Sequence, residues 1–457
     1  MRLWKGNKYL VYREMDMKGK YKRKDLLNIV SSMKKAFEVI SAHNNILEDD
    51  FINILTECQN AAIEIGNFVE NNLQEGHCIV GELEQYCEAI YQISLLYNDM
   101  PKCRQLIKNT KKLLNQIYND IYAYMPEDKK EVVFLPYKAS MWDSLESIWM
   151  AADARDDIEA YVIPIPYYEK NADGSLGKMH YEGADYPEYV PITDWQKYDI
   201  ENSRPDAIYI HNPYDDANYV TSVHPKFYSS ELKKYTEMLV YVPYFVAVDD
   251  KIAKELCMNP GVLFATKVIV QSEEVRKTYI EEYHKFEKEN SCKGVFGVAE
   301  EKFLALGSPK YDKILNLKKS DFVLPEEWKD KIDRKDGNSR KIILYNTTID
   351  AMLKNEGMLK KIEQVIATFK QQDDVVLWWR PHPLLQSTFS AMRPQSYDYY
   401  MEIVKRFKDE QIGIYDDTAE LHRAIAYADA YYGDVSSVVE LFKQTGKPIL
   451  LQNVLKN

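Results

Sequence analysis

Four short apolar runs towards the end of the chain each finish in polar residues that could carry chemistry: Arg, His, Asp and hydroxyls. Asn346-Thr347-Thr348 follows Ile342-Ile343-Leu344-Tyr345, and Arg380-Pro381-His382-Pro383 follows Val375-Val376-Leu377-Trp378-Trp379. Asp416-Asp417-Thr418 follows Ile412-Gly413-Ile414-Tyr415, and Asp434-Val435-Ser436-Ser437 follows Ala430-Tyr431-Tyr432-Gly433. Arg380 can grip phosphate oxygens in a fork. His382, pinned between two prolines, can donate to a diphosphate or move a proton. Ser436 and Ser437 precede Val438, Val439, Leu441 and Phe442, which begin an amphipathic helix. Free amides and the helix dipole at such a start favour an anion. Plainer readings stand beside these. Ser437 with Glu440 three residues on is a capping box. His382 also suits a rigid turn, and Asp416 with Thr418 reads best as a helix N-cap. Taken together, four such strand ends make a polar crevice at one edge of one sheet.

A second set lies upstream. Gly307-Ser308-Pro309-Lys310-Tyr311-Asp312 is a sharp turn after an apolar run, and Lys310 can reach from it into a cleft. Trp142-Asp143-Ser144 opens a helix, so Asp143 is either its cap or a cleft-facing base. His211 ends the run Ile208-Tyr209-Ile210, where a cleft residue is expected, and ranks above His224 in the adjoining loop. Asp249-Asp250 has the form of a metal–diphosphate pair, but surface acids are the better reading.

These residues need a sheet to position them, and the periodicity supplies one. From Asp25 to Ile121 apolar residues recur every three or four positions, as in Leu26, Val30, Met33, Phe37 and Ile40, which predicts a bundle of helices. At Glu131 the pattern changes to short β runs near 132–135, 161–165, 207–211, 239–245, 267–271 and 303–306, with helical stretches between most of them. A second alternation runs from 341 to 452 after a charged connector at 316–340. Such alternation means parallel sheets covered by helices. Residues 168–202, rich in Tyr, Asp, Gly and Pro, read as a long functional loop or lid. The expected fold is α/β: two Rossmann-like domains, 129–320 and 321–457, facing a cleft and preceded by an all-α bundle at 1–128. The chain stops on a strand, where a helix crossing back to the first half would normally follow.

Bulk properties narrow the function. The 457 residues carry a net charge of −12, against broad nucleic-acid binding. Neither half has GxGxxG, so a dinucleotide is not expected. The six cysteines show neither CxxC nor His-paired spacing, the pattern of reduced thiols in a cytoplasmic protein, and no metal site is expected. No signal peptide and no membrane-length apolar run is present. The basic run Lys18-Gly19-Lys20-Tyr21-Lys22-Arg23-Lys24 is a solvated charge cluster or a peripheral contact with anionic lipid at the inner membrane face.

Residues 132–453 resemble the CDP-glycerol glycerophosphotransferase family, teichoic-acid-type polyol-phosphate transferases of GT-B architecture. Leu306-Gly307-Ser308-Pro309-Lys310-Tyr311-Asp312 is similar to the family's Gly-x-Pro-Arg-x-Asp turn, and Leu344-Tyr345-Asn346-Thr347-Thr348 to its Tyr-x-Pro-Thr segment. Arg380-Pro381-His382-Pro383 matches its His-Pro element. Asp434-Val435-Ser436-Ser437, with Glu440 and Gly446-Lys447-Pro448, resembles its Asp-Tyr-Ser-Ser turn and following Gly-Lys-Pro. The resemblance implies that His382 and the serines bind the donor diphosphate, that Glu440 approaches the donor ribose or glycerol, and that inverting transfer proceeds without metal, obligatory cofactor or covalent intermediate. The family's first-half His falls near Val240-Tyr241-Val242-Pro243-Tyr244-Phe245, which has none, so either His211 or Asp143 substitutes as base or the donor differs.

The expected activity is transfer of a phosphopolyol, glycerol phosphate foremost, from a CDP-activated donor to a hydroxyl of a surface polymer or lipid-linked acceptor. Two alternatives stand: a UDP-sugar-dependent glycosyltransferase or epimerase on the same fold, and a catalytically degenerate scaffold in surface-polymer assembly. The helical region makes a homodimer plausible.

Overall fold

The computed structural model describes residues 23–42, 46–73, 77–334, 336–355, 357–418 and 420–452. The basic run at 18–24 lies outside them except for Arg23 and Lys24. The chain forms two compact units, Met1–Lys129 and Lys130–Asn457.

Among the described residues the first unit is four helices: α1 (Arg23–Ala42), α2 (Glu48–Asn72), α3 (Cys78–Ser94) and α4 (Met100–Tyr124). Their apolar stripes meet in one core that includes Val30, Phe37, Phe51, Leu55, Ile65, Tyr86, Leu114 and Ile117. Asp99 caps α4 by accepting from the Lys102 amide, and Pro101 occupies its first turn. None of the described helices is long and apolar enough to cross a membrane.

The second unit holds two parallel sheets. The first comprises β1 (Lys130–Leu135), β2 (Ile158–Val162), β5 (Ala207–Ile210), β7 (Met238–Tyr241), β8 (Lys267–Val270) and β9 (Phe303–Ala305), in the order β2-β1-β5-β7-β8-β9. The second comprises β10 (Lys341–Thr347), β11 (Val375–Pro381), β12 (Ile414–Tyr415), β13 (Ala430–Gly433) and β14 (Ile449–Leu451), in the order β12-β11-β10-β13-β14. Successive residues of a strand face opposite sides. Val376 and Trp378 therefore enter the core on one face of the second sheet, and Leu377 and Trp379 the core on the other. With both faces covered, a strand reads as an unbroken apolar run. The α/β expectation of two parallel sheets with a helical region ahead of them is borne out.

Two expectations change. Residues 168–202 are not a free lid. β3 (Tyr167–Lys170) and β4 (Leu176–His180) form a hairpin, and β6 (Thr221–Val223) extends it into a three-stranded antiparallel sheet. The residues beyond are pinned by Tyr186 and Val190, which pack with Trp142 and Trp149. The charged connector contains a helix, Glu326–Ile332, whose Trp328 packs edge-on against Trp378 at 5.0 Å. Two aromatic anchors outweigh the polar composition by which both segments read as loops.

Candidate functional site

The second sheet's carboxyl edge carries the four strand ends. Gly433 lets β13 approach β10 closely: a Cβ there would lie 2.3 Å from the Asn346 carbonyl oxygen. Asp434 then turns inward. Its carboxylate accepts from the Thr348 amide at 2.7 Å, the Thr348 hydroxyl at 3.1 Å and Gln452 Nε2 at 2.6 Å. Burial raises its pKa. Asp434 is thus a strut joining three strand ends, and its acceptor oxygens are taken. Thr348 caps the helix Ile349–Lys354, and Thr347 is fully buried with its hydroxyl accepting from Trp379 Nε1 at 3.2 Å. Neither threonine side chain is free for a ligand, a correction to the expectation drawn from their strand-end position. Asn346 is buried and donates from Nδ2 to Ser436 Oγ at 3.3 Å, which fixes that serine.

Ser436 is the N-cap of the helix Ser437–Lys443, but its side chain makes no capping bond. The expected capping box is absent: Glu440 is buried, and its Oε1 accepts from the Asp249 amide at 3.1 Å and Lys443 Nζ at 2.8 Å. Glu440 thereby ties the second sheet to the loop after β7 of the first. Ser437 is exposed at the helix start.

Arg380 is also corrected. Its side chain is 5% exposed, with Nη1 2.8 Å from Asp416 and Nη2 donating to the Thr418 carbonyl at 2.7 Å. Asp416 is fully buried and accepts from Trp378 Nε1 at 3.0 Å, the Thr418 amide at 3.0 Å and the Thr418 hydroxyl at 2.7 Å. The arginine's charge is thus balanced within the protein rather than offered to a phosphate. Asp416 does order a turn, but Glu420 is the N-cap of the helix Leu421–Tyr427, and the main role of Asp416 is as counter-ion.

His382 is different. The imidazole is exposed, and Nδ1 accepts from the Leu384 amide at 3.2 Å. Packing in the turn, then the Arg380 charge, push its pKa below 6.5, favouring the neutral ring. With Nδ1 an acceptor, the neutral ring carries its proton on Nε2 and presents an N–H donor.

In the first sheet, His211 is fully buried, and burial drives its pKa down to about 3. Nε2 accepts from the Tyr137 amide at 3.0 Å, and Nδ1 lies 2.9 Å from Ser144 Oγ, which donates to the Met141 carbonyl at 2.8 Å. The single lone pair of the neutral ring is occupied, so His211 cannot accept a substrate proton. It braces the turn after β1. His224 caps a short 3-10 turn by accepting from the Lys226 amide.

Asp143 sits at the junction. Lys310 Nζ donates to its two oxygens at 2.6 and 2.5 Å, and His422 Nε2 approaches at 3.1 Å from the second sheet's side. Burial would raise the Asp143 pKa, but Lys310 and His422 outweigh it and hold the carboxyl well below the usual range. For His422, burial works downward, and Asp143 with Glu420 outweighs it to give a net rise. The cleft turn supplies Lys310: Gly307 has φ 97°, and Ser308 is the N-cap of the helix Pro309–Leu315. One turn on, Lys313 pairs with Glu146 at 2.8 Å. Asp143, Asp249 and Lys310 follow strands of the first sheet; His422 and Glu440 follow strands of the second. The contacts among them bring the carboxyl edges of the two sheets together.

His422 was missed from the sequence because 418–427 reads as an ordinary capped helix. A His-Arg pair in the first turn of a helix after a strand end was the available signal. Asp249 and Asp250 diverge, to Lys443 at 3.0 Å and Gln271 at 2.8 Å. Among the described residues no group of three or more His, Cys, Asp or Glu is placed to hold a metal.

Residues 264–453 match the family described as CDP-glycerol:poly(glycerophosphate) glycerophosphotransferase. The match bears out the resemblance read from the motifs over these residues. The matched region contains Lys310, His382, His422, Ser436 and Ser437, and stops short of Asp143 and His211. No curated protein matches the chain. Among solved structures, a UDP-N-acetylglucosamine 2-epimerase shares 11% identity at TM-score 0.44, covering 72% of this chain and 80% of its own. The Methanocaldococcus jannaschii UDP-GlcNAc 2-epimerase in complex with UDP-GlcNAc and UDP shares 12% at 0.41, covering 70% and 83%. A variant of the wall teichoic acid polymerase TagF soaked with CDPG shares 14% at 0.40, covering 77% and 78%.

Proposed function

We propose that the protein transfers a phosphopolyol, glycerol phosphate foremost, from a CDP-activated donor to a hydroxyl of a polymer or lipid-linked acceptor. Residues 321–457 are the donor side and residues 129–320 the acceptor side. The observation that carries this reading is His382: an exposed imidazole, neutral and fixed to present Nε2–H, inside the family-matched region. A neutral donor at that edge suits a diphosphate oxygen, with the Ser436 and Ser437 hydroxyls beside the uncapped helix start as further donors. The acceptor oxygen attacks the phosphorus that bears glycerol, the bond to the CMP oxygen breaks, and the hydroxyl proton passes to a base. With His211 closed, the Asp143–His422 pair takes that place: Asp143 holds Nε2 at 3.1 Å, and Nδ1, which faces Glu420 at 3.6 Å, is the nitrogen that receives the proton.

The test is a thermal-shift titration with CDP-glycerol, CDP-ribitol, CDP, UDP and a UDP-sugar on the wild type and on His382→Ala. A ligand of the native state raises the midpoint with the logarithm of its concentration over Kd. Cytidine compounds should stabilise the wild type and lose most of that effect in the variant. Stabilisation by uridine compounds alone would transfer the reading to sugar chemistry.

A further inference from the structure

The four-helix unit divides its charge. α2 and α3 carry nine carboxylates and no Lys or Arg, whereas α1 and α4 carry nine Lys or Arg and three carboxylates. Between α2 and α3 lies an open groove of about 530 Å³. Its floor is made by short side chains, among them Gly66 and Cys87, lying over the seam where Ala62 and Leu83 pack in the core. Ile63 and Tyr91 stand in it 49% and 54% exposed, and Glu70, Glu84 and Glu88 rim it. An apolar trough whose charged lining residues are all acidic fits a segment that is both apolar and basic.

We propose that residues 1–22 of this chain occupy that groove. They contain seven Lys or Arg against two acids, interleaved with Leu3, Trp4, Tyr9, Leu10, Val11, Tyr12 and further apolar side chains. Their attachment point is also suitable. The Arg23 amide is held by Asp128 just beyond α4, and the last turn of α4 meets the start of α3, where the His77 and Tyr124 rings are 5.0 Å apart. That end of the bundle is the Glu70–Val80 end of the groove. The α2 side of the groove, residues 59–70, is about 16 Å long at 1.5 Å per residue. A chain of 22 residues can reach roughly 70 Å when extended. A tether this short gives a millimolar effective concentration at the groove, so modest contacts suffice. Basic aromatic segments also bind anionic lipid, but the acidic trough beside this tether favours the intramolecular site.

The experiment uses the full chain with Tyr12→Cys and Cys78→Ser, leaving the natural Cys87 in the groove. A short bismaleimide reagent should link positions 12 and 87 within one chain. The yield should fall at least about fivefold with Glu84→Lys/Glu88→Lys, and likewise between about 0.05 and 0.5 M salt, where charge screening tightens. Deleting residues 1–22 should raise amide exchange roughly tenfold across 59–70 and 80–91 and leave the rest of the chain unchanged. The proposal is overturned by no 12–87 link, by a link only between two chains, or by a yield indifferent to the charge reversal. Unchanged exchange in the deletion, with the segment captured instead by phosphatidylglycerol vesicles, would equally overturn it.

Discussion

Replacing Asp416 by Ala tests whether Arg380 is a structural cation. Asp416 is fully buried and balances a guanidinium that is 5% exposed, at 2.8 Å. Removing one partner of a buried pair leaves an uncompensated charge, at a cost of about 3–5 kcal/mol. The same change strands Trp378 Nε1, which now donates to Asp416 at 3.0 Å. An unsatisfied buried donor adds about 1–3 kcal/mol. The expected loss is therefore about 4 kcal/mol or more, enough to dominate the behaviour of the second sheet. Hydrogen exchange of the β11 amides reads it locally and separates this sheet from the helical unit. The double variant Arg380→Met/Asp416→Asn removes the charge and keeps an acceptor for Trp378, so it should recover at least half of the loss. A loss below about 1 kcal/mol in Asp416→Ala would refute the reasoning. Arg380 would then be solvated and free to grip a phosphate, as its place in the sequence suggested.

Other outcomes follow from the same geometry. The pair between His422 and Asp143 contributes stability that depends on pH. His422, raised above 6.5, contributes fully below that value and loses its contribution as pH rises through its folded pKa. Asp143, held below 3.8, contributes above that value and loses it as pH falls through the depressed one. The stability difference between wild type and His422→Gln should therefore be largest between about pH 4 and 6.5, and should shrink on the alkaline side in denaturant titrations. Gly433→Ala drives a Cβ to 2.3 Å from a backbone oxygen; it should cost about 1–3 kcal/mol and weaken donor stabilisation in the thermal-shift titration. His211→Asn should lower stability, since both ring nitrogens hold the turn after β1, without the change in pH–rate profile that loss of a base produces. His422→Gln should lower kcat and remove an ionisation from that profile.

The sequence made the architecture legible because both sheets are covered on both faces. Runs such as Val375-Val376-Leu377-Trp378-Trp379 are then unbroken and easy to place. That four of these runs end at one edge of one sheet was legible for the same reason. What the residues at those ends do was less legible, because a strand end puts a side chain near the edge without saying whether it turns out or in. Thr347, Arg380 and Asp434 turn in and meet Trp379, Asp416 and Gln452, none of them a local neighbour in sequence. His211 has the position of a cleft residue, but the turn after β1 closes over it. His422 gained its meaning from Asp143, 279 positions away, and no local pattern announces a contact of that span. The hairpin of β3 and β4 was hidden by turn residues that read as a loop.

The most direct measurement is CMP release from CDP-glycerol with a poly(glycerophosphate) acceptor, followed for the wild type, His382→Ala and His422→Gln. The account predicts acceptor-dependent release by the wild type. It predicts that His382→Ala loses donor affinity and turnover together, and that His422→Gln loses turnover at nearly unchanged donor affinity. Release that is unaffected by either substitution, or a wild type that binds a uridine diphosphate donor and leaves CDP-glycerol intact, would contradict it.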